Sequence, residues 1–355
     1  MRGRNVFHWA AHTGTLKYIP KEFLTDKTLA LTDECDDSVF HIAAARKNLK
    51  VLPQELLTTK ALALKNKGGN SVWHLAAKSG TLSAIPKELL TDDVFTKTNR
   101  NGETIFHIAA QNAKLNKLDK SKFSIASLSA RDKLCNLTVF HWAAQNGTLG
   151  DIPKEFLTSD TLALKNKCGQ TVFHTAAQNE ILGDIPEELF TSDVLAQTDV
   201  WENTIWHYAA ITRTLDRIPK HLFTEDCLDF TDKKGNTVLQ DIAEHKQLKE
   251  LPLHLITDKL LARKNAEGRN LFDDDYTKYI KEVLLNRKLD TFVKENPDLK
   301  KQLEKLDPRA VLTDVNENGL VFQIIRDIVI NKDGTTEETI SLPDASTKPS
   351  IVPTL

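Results

Sequence analysis

The sequence lacks most of what a membrane protein or an enzyme would be read from. No run approaches the roughly 20 apolar residues of a spanning helix, so no membrane partner is expected. Only 4 of the 355 residues are cysteine, and no two form a Cys-x-x-Cys pair, which removes the usual zinc-knuckle and dithiol signatures. Cys35, Cys135 and Cys168 each stand three residues before a Thr or Ser, and the pattern fits reduced thiols in a cytoplasmic protein. The formal net charge of −2 supplies no general field for nucleic acid or an anionic membrane. No glycine-rich phosphate loop and no nucleophile paired with a base is recognisable, so neither catalysis nor a cofactor is expected. The start, "MRGRNVFHWAAHTG", leaves no room for a secretory signal. A cytoplasmic location is expected, export as a signal-less effector being the other reading.

What is present is a repeat. His8, His41, His74, His107, His141, His174 and His207 follow one another at 33-residue spacing, with one step of 34 between His107 and His141. Each follows a large apolar residue and precedes Ala-Ala at +2 and +3. An eighth copy, "GNTVLQDIAEHKQL", carries Gln240 in the histidine position, and a ninth, "GRNLFDDDYTKYI", carries Asp273. Hydrophobic residues make up 40% and charged residues 27% of the chain, a globular balance. The length suits a stacked array better than a single core.

Each unit is expected to form two short helices and a turn. In "TVFHWAAQNG" Thr138 is a candidate N-cap, Phe140 shares a helical face with Ala143 and Ala144, and Gly147 ends the helix. A second helix is expected to start at "IPKEFL", with Pro153 in its first turn and Leu149, Ile152, Phe156 and Leu157 as its apolar stripe. "KNKCGQ" is the polar turn into the next unit.

From about residue 3 to 275 these units resemble the ankyrin repeat family, in the His-x-Ala-Ala frame, the glycine at +6 from the histidine and the period. Val-Phe, Val-Trp, Ile-Phe or Ile-Trp replaces the family's Pro-Leu before the histidine, and a recurrent "IPKELLT"-type second helix marks a subfamily consensus resembling bacterial-type arrays. The resemblance implies an all-α fold: an α-solenoid of about nine ankyrin-like helix-turn-helix repeats over residues 1–275. Residues 276–307 are expected to close the stack as capping helices. Residues 308–342, with Asp333-Gly334 between β-branched runs, are expected to form a small β-hairpin, and residues 343–355 a disordered tail.

The seven histidines are read as structural. Neighbouring units stack roughly 8–10 Å apart, whereas ligands of one zinc each lie about 2 Å from it. The resemblance implies that the rings bond to the backbone of the adjacent turn. No metal is expected from them. Asp273, Asp274 and Asp275 form the densest acid cluster, either favouring a helix start through the dipole or offering the chain's one candidate divalent-cation site.

Function is sought where units depart from the consensus. Unit 4 has Asp119 for the proline, Ala113 for the glycine and one extra residue before unit 5, which is expected to bend or shift the array. This is either a functional kink or tolerated drift. Leu134 with Leu137, and Val200 with Trp201, place large apolar residues in turns that are otherwise small and polar. Trp201 is the main hot-spot candidate, unless it folds back over its own unit. The resemblance implies a partner-binding surface of turns and first-helix edges: Arg46, Lys67, Lys78, Arg100, Gln111, Asn112, Lys133, Leu134, Lys167, Gln178, Val200, Trp201, Thr212 and Lys233. The expected partner is another protein. Phe7, Trp9 and Ile19 are expected to lack a covering unit, which suggests a fraying first unit, a homotypic contact or a start that omits upstream sequence. The C-terminal hairpin is the other candidate for homotypic contact. The chain is thus expected to be a non-catalytic interaction scaffold. The other reading is a targeting or regulatory module of an effector or toxin-type system, with its activity in the C-terminal segment or in a separate protein.

Overall fold

The computed structural model describes residues 3–252 together with Leu255 and Gly268. Compact units divide the chain at Met1–Val283 and Leu284–Leu355, and the described residues belong to the first. The ninth copy with Asp273, Asp274 and Asp275, the capping helices, the hairpin and the tail lie outside the described residues.

Among the described residues eight units are stacked, each opening with an α-helix. These are α1 (Val6–Thr13), α2 (Val39–Ala45), α3 (Val72–Ser79), α4 (Ile105–Gln111), α5 (Val139–Gln145), α6 (Val172–Gln178), α7 (Ile205–Thr212) and α8 (Val238–Glu244). Consecutive first helices pack side by side, because the Ala-Ala pair leaves nothing to hold them apart. Ala43, Ala44, Ala143, Ala144, Ala176 and Ala177 are fully buried. A branched residue enters each interface two positions before the histidine slot. Val39, Val72, Ile105, Val139, Val172, Ile205 and Val238 have 0% exposure, whereas Val6, with no unit before it among the described residues, has 66%. Trp9 is exposed on the same unit, and Phe7 and Ile19 are half-buried.

Every first helix ends with a left-handed residue six positions after the histidine slot. Gly14, Gly80 and Gly147 fill this place in three units; Lys47, Ala113, Glu180, Arg213 and Lys246 fill it in the others with φ between 51° and 64°. The next N–H then returns to the carbonyl of the residue two after the histidine slot, as Thr148 does to Ala143 at 2.8 Å and Lys114 to Ala109 at 2.8 Å. This is the Schellman closure, and it is made whether or not a glycine is available.

The expected second helix is a correction. Pro153 does not open an α-helix: Leu149–Asp151 and Lys154–Phe156 are separate 3-10 turns, Ile152 between them is extended at φ −79°, ψ 131°, and Pro153 follows at φ −56°, ψ 134°. The proline ring excludes the α conformation from the residue before it and removes one N–H. A single α-turn, Ser159–Leu162, completes the limb, capped by Thr158, whose Oγ1 accepts from Thr161 N at 3.3 Å. The recurrent Thr of "FLT" is therefore a cap. The buried stripe is Leu149, Ile152, Leu157 and Leu162, with Phe156 only half-buried. First helix and second limb meet through edge-on aromatic pairs in several units, Phe106 with Phe123, Phe173 with Phe190 and Trp206 with Phe223, at ring separations of 5.1, 5.3 and 4.7 Å.

Unit 4 keeps the frame despite its departures. Asp119 takes φ −68°, ψ 116° and accepts from Ser121 N at 3.0 Å, so an Asx turn reproduces the break that proline makes elsewhere. The extra residue is taken up in the following turn, where Lys133 N still reaches Asn101 O at 2.7 Å.

Ala113 is exposed and at φ 51°, a conformation that costs a non-glycine residue about 1–2 kcal/mol, partly offset by its smaller unfolded-state entropy. Ala113→Gly is expected to raise stability by about 0.5–1 kcal/mol, read as a higher urea midpoint at unchanged helicity. An unchanged or lower midpoint would contradict the strain assigned to this position.

Candidate functional site

The turns between units are built on one side chain. Asp33, Asn66, Asn99, Asp132, Asn166, Asp199 and Asp232 each turn an oxygen back onto the backbone of their own turn. Asn166 Oδ1 accepts from Cys168 N at 2.8 Å and Gln170 N at 3.0 Å, and Asp199 Oδ1 from Trp201 N at 2.9 Å and Asn203 N at 3.0 Å. This is the Asx-turn chemistry that makes Asp and Asn turn residues. A left-handed residue follows in each, among them Gly69, Gly102 and Gly169. At Gly69 a Cβ would stand 2.7 Å from Arg100 N, so the glycine also permits the next turn to approach.

Approach matters because the turns bond to one another. The N–H groups of Lys67, Arg100, Lys133, Lys167, Val200 and Lys233 donate to Cys35, Gly68, Asn101, Cys135, Cys168 and Trp201 carbonyls at 2.7–3.1 Å. The main chain of each of these residues is thereby fixed while its side chain is exposed. Leu134, Val200 and Trp201 are exposed by 58%, 44% and 48%.

The other sequence candidates divide. Arg46, Lys78 and Gln178 are exposed at the ends of first helices. Gln111, Asn112 and Thr212 are half-buried and engaged internally. Gln111 donates to Glu103, Asn112 to Ile108 O at 2.8 Å, and Thr212 to Ala177 O of the preceding unit at 2.9 Å. The four cysteines are unbridged.

The histidines face inward. In α2 to α7 the ring replaces the Glu or Gln of a capping box. Nδ1 accepts the N-cap N–H at 3.1–3.3 Å, from Ser38, Ser71, Thr104, Thr138, Thr171 and Thr204. The cap hydroxyls lie 2.7–2.8 Å from the same nitrogen. Nε2 then crosses to the next turn, from His41 to Asn70 O at 3.0 Å, His74 to Glu103 O at 3.2 Å, His141 to Gln170 O at 3.2 Å and His174 to Asn203 O at 3.2 Å. His107 reaches both Ala130 O at 3.0 Å and Leu137 O at 3.3 Å across the longer turn. His207 keeps its cap bond, but its Nε2 meets no acceptor at hydrogen-bonding geometry, although the Asn236 carbonyl is near enough to favour protonation.

A carbonyl can only accept and a backbone N–H can only donate. The rings are therefore neutral with the proton on Nε2. A second proton, on Nδ1, would face the cap N–H. Burial lowers the basicity of His41, His107 and His207, and takes His74, His141 and His174 to about 4, with the nearby carbonyls opposing in part. Gln240 serves the cap in α8, its Oε1 accepting from Thr237 N at 2.9 Å. One residue along, Asp241 has no counterpart of the Trp142 and Tyr208 bonds to the turn aspartates (3.2 and 2.8 Å). Burial, Asp232 and Glu244 push it up to about 7.

Among the described residues no group of three His, Cys, Asp or Glu side chains is placed to hold a metal ion, and no helix is long and apolar enough to cross a membrane. The fold and the inward histidines define a helical-repeat array. The chain matches no protein-family model, and no curated protein matches it. Among solved structures it is similar to the ankyrin repeat domain of Bcl-3, described as a unique member of the IkappaB protein family, at 16% identity and a TM-score of 0.44, over 61% of this chain and 99% of that one. The ankyrin-like description rests on the chain's own repeat.

The histidines have folded-state pKa values below the unfolded value of 6.5, so the unfolded chain binds more protons in the window between. The histidines' contribution is fully present above about pH 6.5 and is lost as pH falls toward 4, opposed in part by the single Asp241, whose carboxyl is pushed up to about 7. Denaturant midpoints measured across that window should fall steeply. His141→Gln should make the fall shallower, because one titrating group is gone and the cap acceptor is kept. His141→Ala should cost about 1–3 kcal/mol at pH 7 through the unsatisfied cap and carbonyl. A midpoint independent of pH from 7 to 5 would contradict the ladder.

Proposed function

We propose that this chain is a non-catalytic protein-protein interaction scaffold that binds its partner along the turns and the adjoining ends of the first helices. The observation that supports this reading most is the division of labour within each turn: the Asx side chain and the backbone hold the loop and tie it to its neighbours, leaving the tip side chains exposed on a fixed main chain. A preorganised backbone reduces the ordering cost of binding. The buried histidines and alanines and the turn Asx residues are consumed by the frame, whereas the tips, Lys67, Arg100, Lys133, Lys167, Val200 and Lys233, are left to face outward. Val200 and Trp201 are the largest apolar pair on this surface, and aromatic residues of this kind dominate many interfaces.

Trp201→Ala leaves its backbone bonds to Asp199 Oδ1 and Lys233 N available. It is expected to weaken affinity capture of the protein's partner at least tenfold while the thermal melt is unchanged. Equal capture by the variant, or loss of capture accompanied by unfolding, would count against a binding role for this tip.

A further inference from the structure

The charge of the turn face is far from the near-neutral average of the chain. In the turns 66–70, 99–103, 132–137 and 166–170 the tip position holds Lys67, Arg100, Lys133 and Lys167, all exposed. The only acids in those four turns are Glu103 and Asp132. Their exposures are 7% and 2%, and both are bonded internally, Glu103 to Asn99 and Gln111 and Asp132 to its own turn. None of the four tip cations forms an ion pair among the described residues. Lys167 Nζ donates only to the carbonyls of Lys133 and Leu134, at 3.0 and 2.6 Å. The column is bounded on both sides. At the equivalent position of the first turn stands Glu34, with Asp36 also exposed, and after Lys167 the position passes to Val200 beside Trp201.

Four cations of one sign, each with its main chain hydrogen-bonded to the turn before it, form a ruler whose pitch is the stacking distance of the units, roughly 10 Å. An extended peptide in the polyproline-II conformation has three residues per turn and advances about 3.1 Å per residue, so every third side chain falls on one face, roughly 9 Å from the last, and meets successive tips. We propose that the face along these turns takes an extended acidic segment of a partner protein, with carboxylates at a three-residue period over about ten residues. This rests on the turn-face reading above and names the chemistry of its partner. Nucleic acid is the other polyanion to weigh, and the column disfavours it. Single-stranded binders interleave cations with aromatic stacking platforms, whereas these four turns carry no aromatic residue and expose Leu134 instead.

The test is fluorescence anisotropy of the full chain with three probes: a ten-residue peptide with Glu at positions 1, 4, 7 and 10, a peptide of the same composition with the four Glu contiguous, and a ten-nucleotide single strand. The periodic peptide is expected to bind at least fivefold more tightly than the contiguous one, and to weaken as salt is raised. K67Q/R100Q/K133Q/K167Q should reduce its affinity at least tenfold with an unchanged melt. Absence of peptide binding, equal binding of the two peptides, or tighter binding of the oligonucleotide would overturn the inference. If the peptides fail while Trp201→Ala still weakens capture of the partner, the turn-face reading stands and the acidic-segment inference alone falls.

Discussion

The hydrogen bond from a buried imidazole to the carbonyl of the following turn is the interaction on which this array depends. One side of each ring satisfies the N-cap of its own helix; the other reaches a backbone acceptor about 29 residues on, as His141 does to Gln170. A local helix cap and a contact between units are thereby made by one side chain. Burial of a neutral polar group is tolerable only when its polar atoms are bonded, and this geometry bonds both ring nitrogens in five of the units from α2 to α7, with His207 as the exception. The cap then fixes the helix start, which places the Ala-Ala pair against the neighbouring helix. That close packing brings the turns near enough to hydrogen-bond to one another.

The repeat, the helical class, the Thr cap and the bonding of the histidine rings to the adjacent turn could be read from the sequence because periodicity multiplies a weak local signal. The second limb could not. "IPKEFL" has helix-forming residues and a proline where a first turn would accept it, and only the tertiary frame shows that Ile152 is extended and buried at 2%. Two further signals were present and unread. An Asp or Asn stands five residues before each cap, or six in the longer turn, and a Thr or Ser follows each "FL"-type pair. The first builds the Asx turns and the second stands at the N-cap of each short α-turn, and the meaning of both depends on knowing where the short elements begin. The left-handed position at +6 was legible only where glycine marked it, since Lys47 and Glu180 adopt the same backbone without announcing it.

At the surface, exposure separates residues that sequence position had grouped together. Lys67, Lys133 and Trp201 are offered outward, whereas Asn112 and Thr212 spend their hydrogen bonds on helix carbonyls. The frame and the face are thus made of different residues in the same units. That separation lets the tips vary without disturbing the stack, and lets one contiguous part of the face carry a charge that the whole chain does not.

The most direct test of the central claim is the protonation and tautomer of the ladder histidines, read from imidazole nitrogen shifts in heteronuclear NMR across pH 7.5 to 4.5. The account requires the resonances of His41, His74, His107, His141 and His174 to be those of neutral rings with the proton on Nε2, showing no titration near pH 6.5 while the protein remains folded. Rings that titrate near 6.5 in the folded state, or that carry the proton on Nδ1, would contradict it.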